Sequence, residues 1–104
     1  MNGVQADRRR GAQPGGRLVQ LDRLAWDHVL EEHAELADHL DDVMRTIRVP
    51  DFREADPRQG RERYFRRARP LGWIRVVTEF AGDVDRVVTA FPQSNDPRLP
   101  GWLR

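Results

Sequence analysis

Three histidines, His28, His33 and His39, lie in a segment that runs from Asp27 to Asp42 with seven acidic residues and no arginine. The next stretch, Arg45 to Arg75, inverts the charge, with ten Arg against four acids, Asp51, Glu54, Asp56 and Glu62. Histidine is the side chain whose ordinary pKa lets it exchange protons near neutral pH. Arginine grips phosphate through a planar fork of donors. A formal net charge of +1 therefore conceals a dipolar molecule. Such a molecule can offer a basic face to a polyanion and keep an acidic one away from it.

Each candidate has a structural alternative. His28 follows Trp26 by two and falls off the deepest part of the apolar stripe, so it faces either a cleft or solvent. His33 falls on the stripe, where a histidine bonded to a backbone carbonyl is the alternative to catalysis. His39 stands among Asp38, Asp41 and Asp42 on the polar side. The i, i+5 spacing of His28 and His33 does not align them on one helix face as i, i+4 would, so a metal site is not expected. In Arg61–Arg69, strand alternation puts Arg61, Arg63, Phe65, Arg67 and Arg69 on one side. Cations mixed with rings, Tyr64 included, suit single-stranded RNA. The alternative is an edge strand guarded by charge. Arg75, between Ile74 and Val76, points opposite to both and is the best single phosphate ligand if those two are core.

Residues 21–48 read as helical. Trp26, Leu30, His33, Ala37, Leu40, Met44 and Ile47 recur every three or four residues, and Asp22 is placed to cap the start. A break near His33-Ala34 is compatible with the pattern but not required by it. Pro50 ends the run. Short strands follow: Phe52–Ala55, Arg61–Arg69, and a hairpin of Trp73–Phe80 with Val84–Phe91 across Ala81-Gly82-Asp83. A helix followed by antiparallel strands implies an α+β domain with the helix on one sheet face. Ile74, Val76, Val87 and Phe91 are the expected apolar donors to that face. Residues 1–17, polar and rich in Gly and Arg, read as a disordered arm; 18–92 as a single domain; and 93–104 as a tail whose Trp102 and Leu103 fold back onto the body.

With 104 residues and no Cys, one small domain without disulfides or a zinc ribbon is expected. No apolar run reaches the roughly 20 residues of a membrane span. The N-terminus lacks a signal-peptide core, so a soluble cytoplasmic protein is expected. All eighteen basic residues are Arg.

The order of these segments carries a resemblance. A helix opens with Trp26-Asp27-His28-Val29-Leu30-Glu31-Glu32-His33-Ala34-Glu35. A helix end follows at Ile47-Arg48-Val49-Pro50-Asp51. Strands come next around Tyr64-Phe65, at Ile74-Arg75-Val76-Val77, and at Arg86-Val87-Val88-Thr89-Ala90-Phe91-Pro92. Over residues 24–92 this resembles the phage-associated nucleases of the barnase–EndoU–colicin E5/D–RelE superfamily. Their pattern is a first helix of the form H-hydrophobic-x-x-x-H-P-E, an x-P-D step into the sheet, and a closing hydrophobic-T-A-Y/F strand. Ala34 here replaces the usual Pro, and Phe91 the commoner Tyr.

The resemblance implies one or two helices packed on a four-stranded antiparallel sheet. It also implies a metal-independent ribonuclease of toxin or prophage-effector type that needs no cofactor. In that reaction the 2′-OH attacks the adjacent phosphate and leaves a 2′,3′-cyclic phosphate. A base, an acid and cations at the phosphorane are required. The implied catalytic group is His28, His33, Arg75 and Thr89, with RNA contacts from Arg61, Arg63, Tyr64, Phe65 and Arg67. Thr89 otherwise reflects strand propensity, and Thr78 competes for its role. The expected partners are RNA and an antitoxin or immunity protein docked on the acidic helix. The alternative is a non-catalytic module that uses the same Arg-rich face to hold nucleic acid or protein.

Overall fold

Asp22 accepts a 2.9 Å hydrogen bond from the Ala25 amide and starts a helix where the sequence places one. The structure, a computed structural model, describes residues 8–99. Helix α1 spans Arg23–Glu32 and a single 3₁₀ turn spans Ala34–Leu36, while α2 spans Leu40–Arg48. The break at His33 is real: its amide bonds the Val29 carbonyl at 2.7 Å and its backbone leaves the helical region (φ −137°). In α2, Asp41 and Asp42 occupy the first turn and Arg45 and Arg48 the last. Both placements oppose the helix dipole favourably. Asp22→Ala is expected to lower stability by ~1 kcal/mol in urea unfolding, with Asp22→Asn close to wild type.

The strands are β1 Arg8–Ala12, β2 Leu18–Asp22, β3 Phe52–Ala55, β4 Arg61–Ala68, β5 Gly72–Glu79 and β6 Val84–Gln93. They form one six-stranded sheet in the order β1-β2-β6-β5-β4-β3. β2 runs parallel to β6 and all other neighbours are antiparallel. This corrects the expected four-stranded antiparallel sheet. Two further strands come from a segment expected to be partly an unstructured arm and partly helix. Arg8–Ala12 pairs along β2, and β2 joins the β6 edge through Leu18–Gln20. β1 has almost no apolar alternation, and its order comes from pairing rather than propensity. Residues 1–7 of that arm, and Trp102 and Leu103 of the tail, lie outside the described residues.

The core lies between the helices and one sheet face. Val29, Leu36, Val43, Met44 and Ile47 meet Val19, Leu21, Tyr64, Ala68, Ile74, Val76, Val87 and Ala90. α2 packs across β1, β4 and β5, while α1 packs against β6 and β2. No described helix is long and apolar enough to cross a membrane.

One irregularity sets the phase of the last strand. Val77 faces Thr89, yet Thr78 faces Val87, so Val88 is an extra residue in β6. A bulge of this kind reverses which side chains face which side. Asp85, Val87 and then Ala90 are buried beneath the helix layer. Phe91, expected with Val87 on that side, instead pairs with Arg75 on the opposite face.

Candidate nucleic-acid interface and catalytic residues

Arg75 occupies the middle of the face away from the helices, as the burial of Ile74 and Val76 (both 0% exposed) requires. Its strand neighbours at that level are Phe65 and Phe91. The guanidinium carbon lies 5.1 Å from the Phe65 ring centre and 5.0 Å from that of Phe91. A planar cation between two rings is held by cation–π attraction on both sides.

The stack continues in both directions. The His33 ring lies 5.6 Å from Phe91 at an interplanar angle of 29°. Phe52 stacks on Phe65 at 4.6 Å, and its edge meets Trp73 at 6.4 Å. Arg67 and Arg98 both lie over Trp73, at 5.8 and 5.4 Å. The result is a ladder of rings and guanidinium groups across the sheet. Thr89 joins it two positions before Phe91, opposite Val77.

His33, Arg75 and Thr89 therefore come to one face. His28 does not join them: its side chain is 54% exposed and its Nε2 lies 3.6 Å from Glu32. His39 is taken up by Asp42, 2.9 Å from Nδ1. Among the residues expected to contact RNA, Phe65 and Arg67 belong to the ladder. Arg61 lies 3.8 Å from Glu79. Arg63 is held inside the sheet by Glu54 and Asp56, each at 2.9 Å. Tyr64 departs from expectation. It faces the helices, is fully buried, and donates its hydroxyl to Glu62 at 3.0 Å. Alternation forces this, because Phe65 takes the other side. Burial pushes the Tyr64 phenol up, and the Glu62 carboxylate adds to the shift.

The four acids of the basic stretch are each engaged by arginine. Asp51 lies 4.0 Å from Arg66, Glu54 and Asp56 hold Arg63, and Glu62 holds Arg53 through both oxygens. The Arg58 amide and then the Arg63 side chain draw the Asp56 carboxyl below its usual range. Much of the basic charge is thus neutralised within the sheet. Arg67, Arg75 and Arg98 in addition rest on rings.

Sequence reasoning did not find Phe52, Phe91, Trp73 and Arg98 as ladder members. The only signal for Phe91 is its residue type, since the bulge that turns it has no mark in the sequence. Arg98 is fixed by Asp96, which its side chain and then its backbone N–H lower from 3.8 to about 2. A carboxylate lowered in the folded state contributes stability above its unfolded pKa and loses it as pH falls through the folded value. The Asp96–Arg98 contact is expected to hold at about pH 4 and open only near about pH 2. The Asp96 carboxyl carbon shift reports it; a midpoint at the ordinary 3.8 would contradict the clamp.

Among the described residues, no group of three or more His, Asp or Glu is placed to hold a metal ion. No protein family, curated protein or solved structure matches this chain, so the geometry of the open face is what bears on function.

Proposed function

We propose that this domain is an endoribonuclease of toxin or prophage-effector type that cleaves cytoplasmic RNA by 2′-OH transesterification, working without a metal or cofactor. The observation that carries the reading is that His33 and Arg75 both pack on the Phe91 ring, on the sheet face that also bears Thr89. A base must lie within reach of the 2′-OH, and cations must meet the charge that grows on phosphorus. In this reading His33 takes the 2′-hydroxyl proton. The 2′-oxygen bonds to phosphorus, the P–O5′ bond breaks, and the leaving oxygen regains a proton from imidazolium or water. Arg75 holds the non-bridging oxygens, and the Thr89 hydroxyl donates to one of them. Phe52 and Arg67 support the strand, since rings and guanidinium planes stack on unpaired bases, while the fully buried Phe65 backs Arg75 from within.

The test is incubation with single-stranded RNA in EDTA and end-group analysis of the products. Products ending in 2′,3′-cyclic phosphate are expected. His33→Ala should slow the reaction by about 10²–10⁴, while His28→Ala keeps the rate. An inert protein that binds RNA in a salt-sensitive manner would replace this reading with that of a binding module.

A further inference from the structure

One register level of the open face carries cations across neighbouring strands. Arg10 in β1 faces Gln20 in β2, Gln20 faces Arg86 in β6, Arg86 faces Glu79 in β5, and Glu79 faces Arg61 in β4. These side chains point away from the helices. Val19 and Leu21 flank Gln20, Asp85 and Val87 flank Arg86, and all of these flanking residues are buried on the helix side. Gly11 packs under α2, where an added Cβ would meet Arg48 Cγ at 3.0 Å and Met44 Cε at 3.4 Å. Alternation then gives Arg10 the open side.

The level holds one carboxylate, and it lies toward Arg61, with Glu79 Oε1 3.8 Å from Arg61 Nε. Arg10 donates through Nε to a neutral partner, the Gln20 Oε1, at 2.8 Å. That bond orients the guanidinium and leaves both terminal nitrogens to a ligand. Arg86 is exposed and has no ion pair among the described residues. Charge on a sheet edge guards against strand-to-strand aggregation, which accounts for an arginine in β1. It does not account for Arg86, because β6 is a central strand with β2 on one side and β5 on the other. No ring stands at this level, so it suits phosphates rather than bases.

The level is in register with Arg75. Arg75 pairs with Phe91, and Glu79, four residues further along β5, pairs with Arg86; the two levels are about 13 Å apart. Thr89 lies between them in β6, opposite Val77. Arg86 and Arg10 are separated by two strand spacings, about 10 Å. A nucleic-acid strand held at Arg75 therefore meets Arg86 and then Arg10 within a few nucleotides.

We infer that Arg86 and Arg10 are phosphate contacts for a single strand that leaves the Arg75 site over Thr89, and that they position it without reading its bases. The inference rests on the reading of that face as an RNA site, and its test separates the two. Oligothymidylate has no 2′-OH and cannot be cleaved by the proposed reaction. Binding of a dodecamer to the full chain would be followed by fluorescence anisotropy across a salt series. Arg86→Gln and Arg10→Gln should each lower the salt slope by about 0.7–1, the value for one phosphate contact. Arg45→Gln, an exposed cation on α2, should leave it unchanged. Both substituted side chains are exposed, and urea unfolding verifies that the fold is kept. In cleavage, the KM for dodecameric RNA should rise in the two variants with kcat unchanged, while a dinucleotide is cut as by wild type. If RNA stays uncut while the slopes fall, the catalytic reading fails and the phosphate contacts stand. Unchanged slopes in both variants would overturn the inference. So would polyglutamate of equal length that binds as tightly and loses affinity in the same variants, which would mark the level as a site for an acidic protein.

Discussion

Arg75→Ala is expected to reduce RNA cleavage by about 10²–10³, the usual effect of removing one group that meets transition-state charge. The argument rests on where Arg75 is held. Phe65 and Phe91 fix its guanidinium from both sides, so the cation is positioned before any phosphate arrives. Arg75→Lys should not restore the rate. An ammonium keeps the charge but has no plane to lie between two rings and no fork to grip two oxygens. Affinity supplies a second readout. If Arg75 contacts a phosphate, its loss lowers the salt dependence of RNA binding by about one unit of slope. Urea unfolding separates these effects from damage to the fold. A folded Arg75→Ala protein that cleaves at the wild-type rate would refute the proposed site.

Ala90→Asp is expected to have the largest effect on the fold. Ala90 lies opposite Val76 under the helices and is fully buried, so the substitution puts an unpaired carboxylate into the core. Destabilisation above about 4 kcal/mol, or loss of cooperative unfolding, should follow. Deleting Val88 is the informative contrast. Val88 is the residue that β6 inserts between Val87, opposite Thr78, and Thr89, opposite Val77. Without it, Val87, Thr89, Ala90 and Phe91 alternate regularly and each keeps its present side and partner. The deletion should therefore leave Ala90 in the core and Phe91 beside Arg75, and cost far less than Ala90→Asp. Urea unfolding of both proteins decides the matter. A deletion as damaging as Ala90→Asp would mean that Val88 is not a simple inserted residue.

The same bulge explains why the site was only partly legible in the sequence. The position of Arg75 is visible from its two β-branched neighbours, because alternation over three residues is local. Thr89 and Phe91 lie past the inserted residue. Counting by twos from Val87 puts Phe91 under the helices, whereas in the fold it supports Arg75 and His33. His33 read as a stripe residue because the helix was extended through it. The break at His33 gives its ring a different direction, toward the β6 edge rather than down the core stripe. The ring of Tyr64 suits RNA contact by residue type, but the alternation that turns Arg63 and Phe65 to the open side commits it to the core.

Local pattern in the chain was enough to establish the capped first helix, the α2 stripe, the β5–β6 hairpin and the side of the sheet on which Arg75 lies. Each depends on residues a few positions apart, where backbone periodicity alone dictates direction. The tertiary structure decided the rest. It recruited Arg8–Ala12 and Leu18–Asp22 into the sheet, one through a parallel pairing with a strand more than sixty residues away. It assigned each acid of the basic stretch to its arginine, and it brought His33 beside Arg75 across Phe91. These outcomes depend on which distant partners meet and on where a strand admits one extra residue. Pairing energies between remote segments set both, and they leave no period in the sequence.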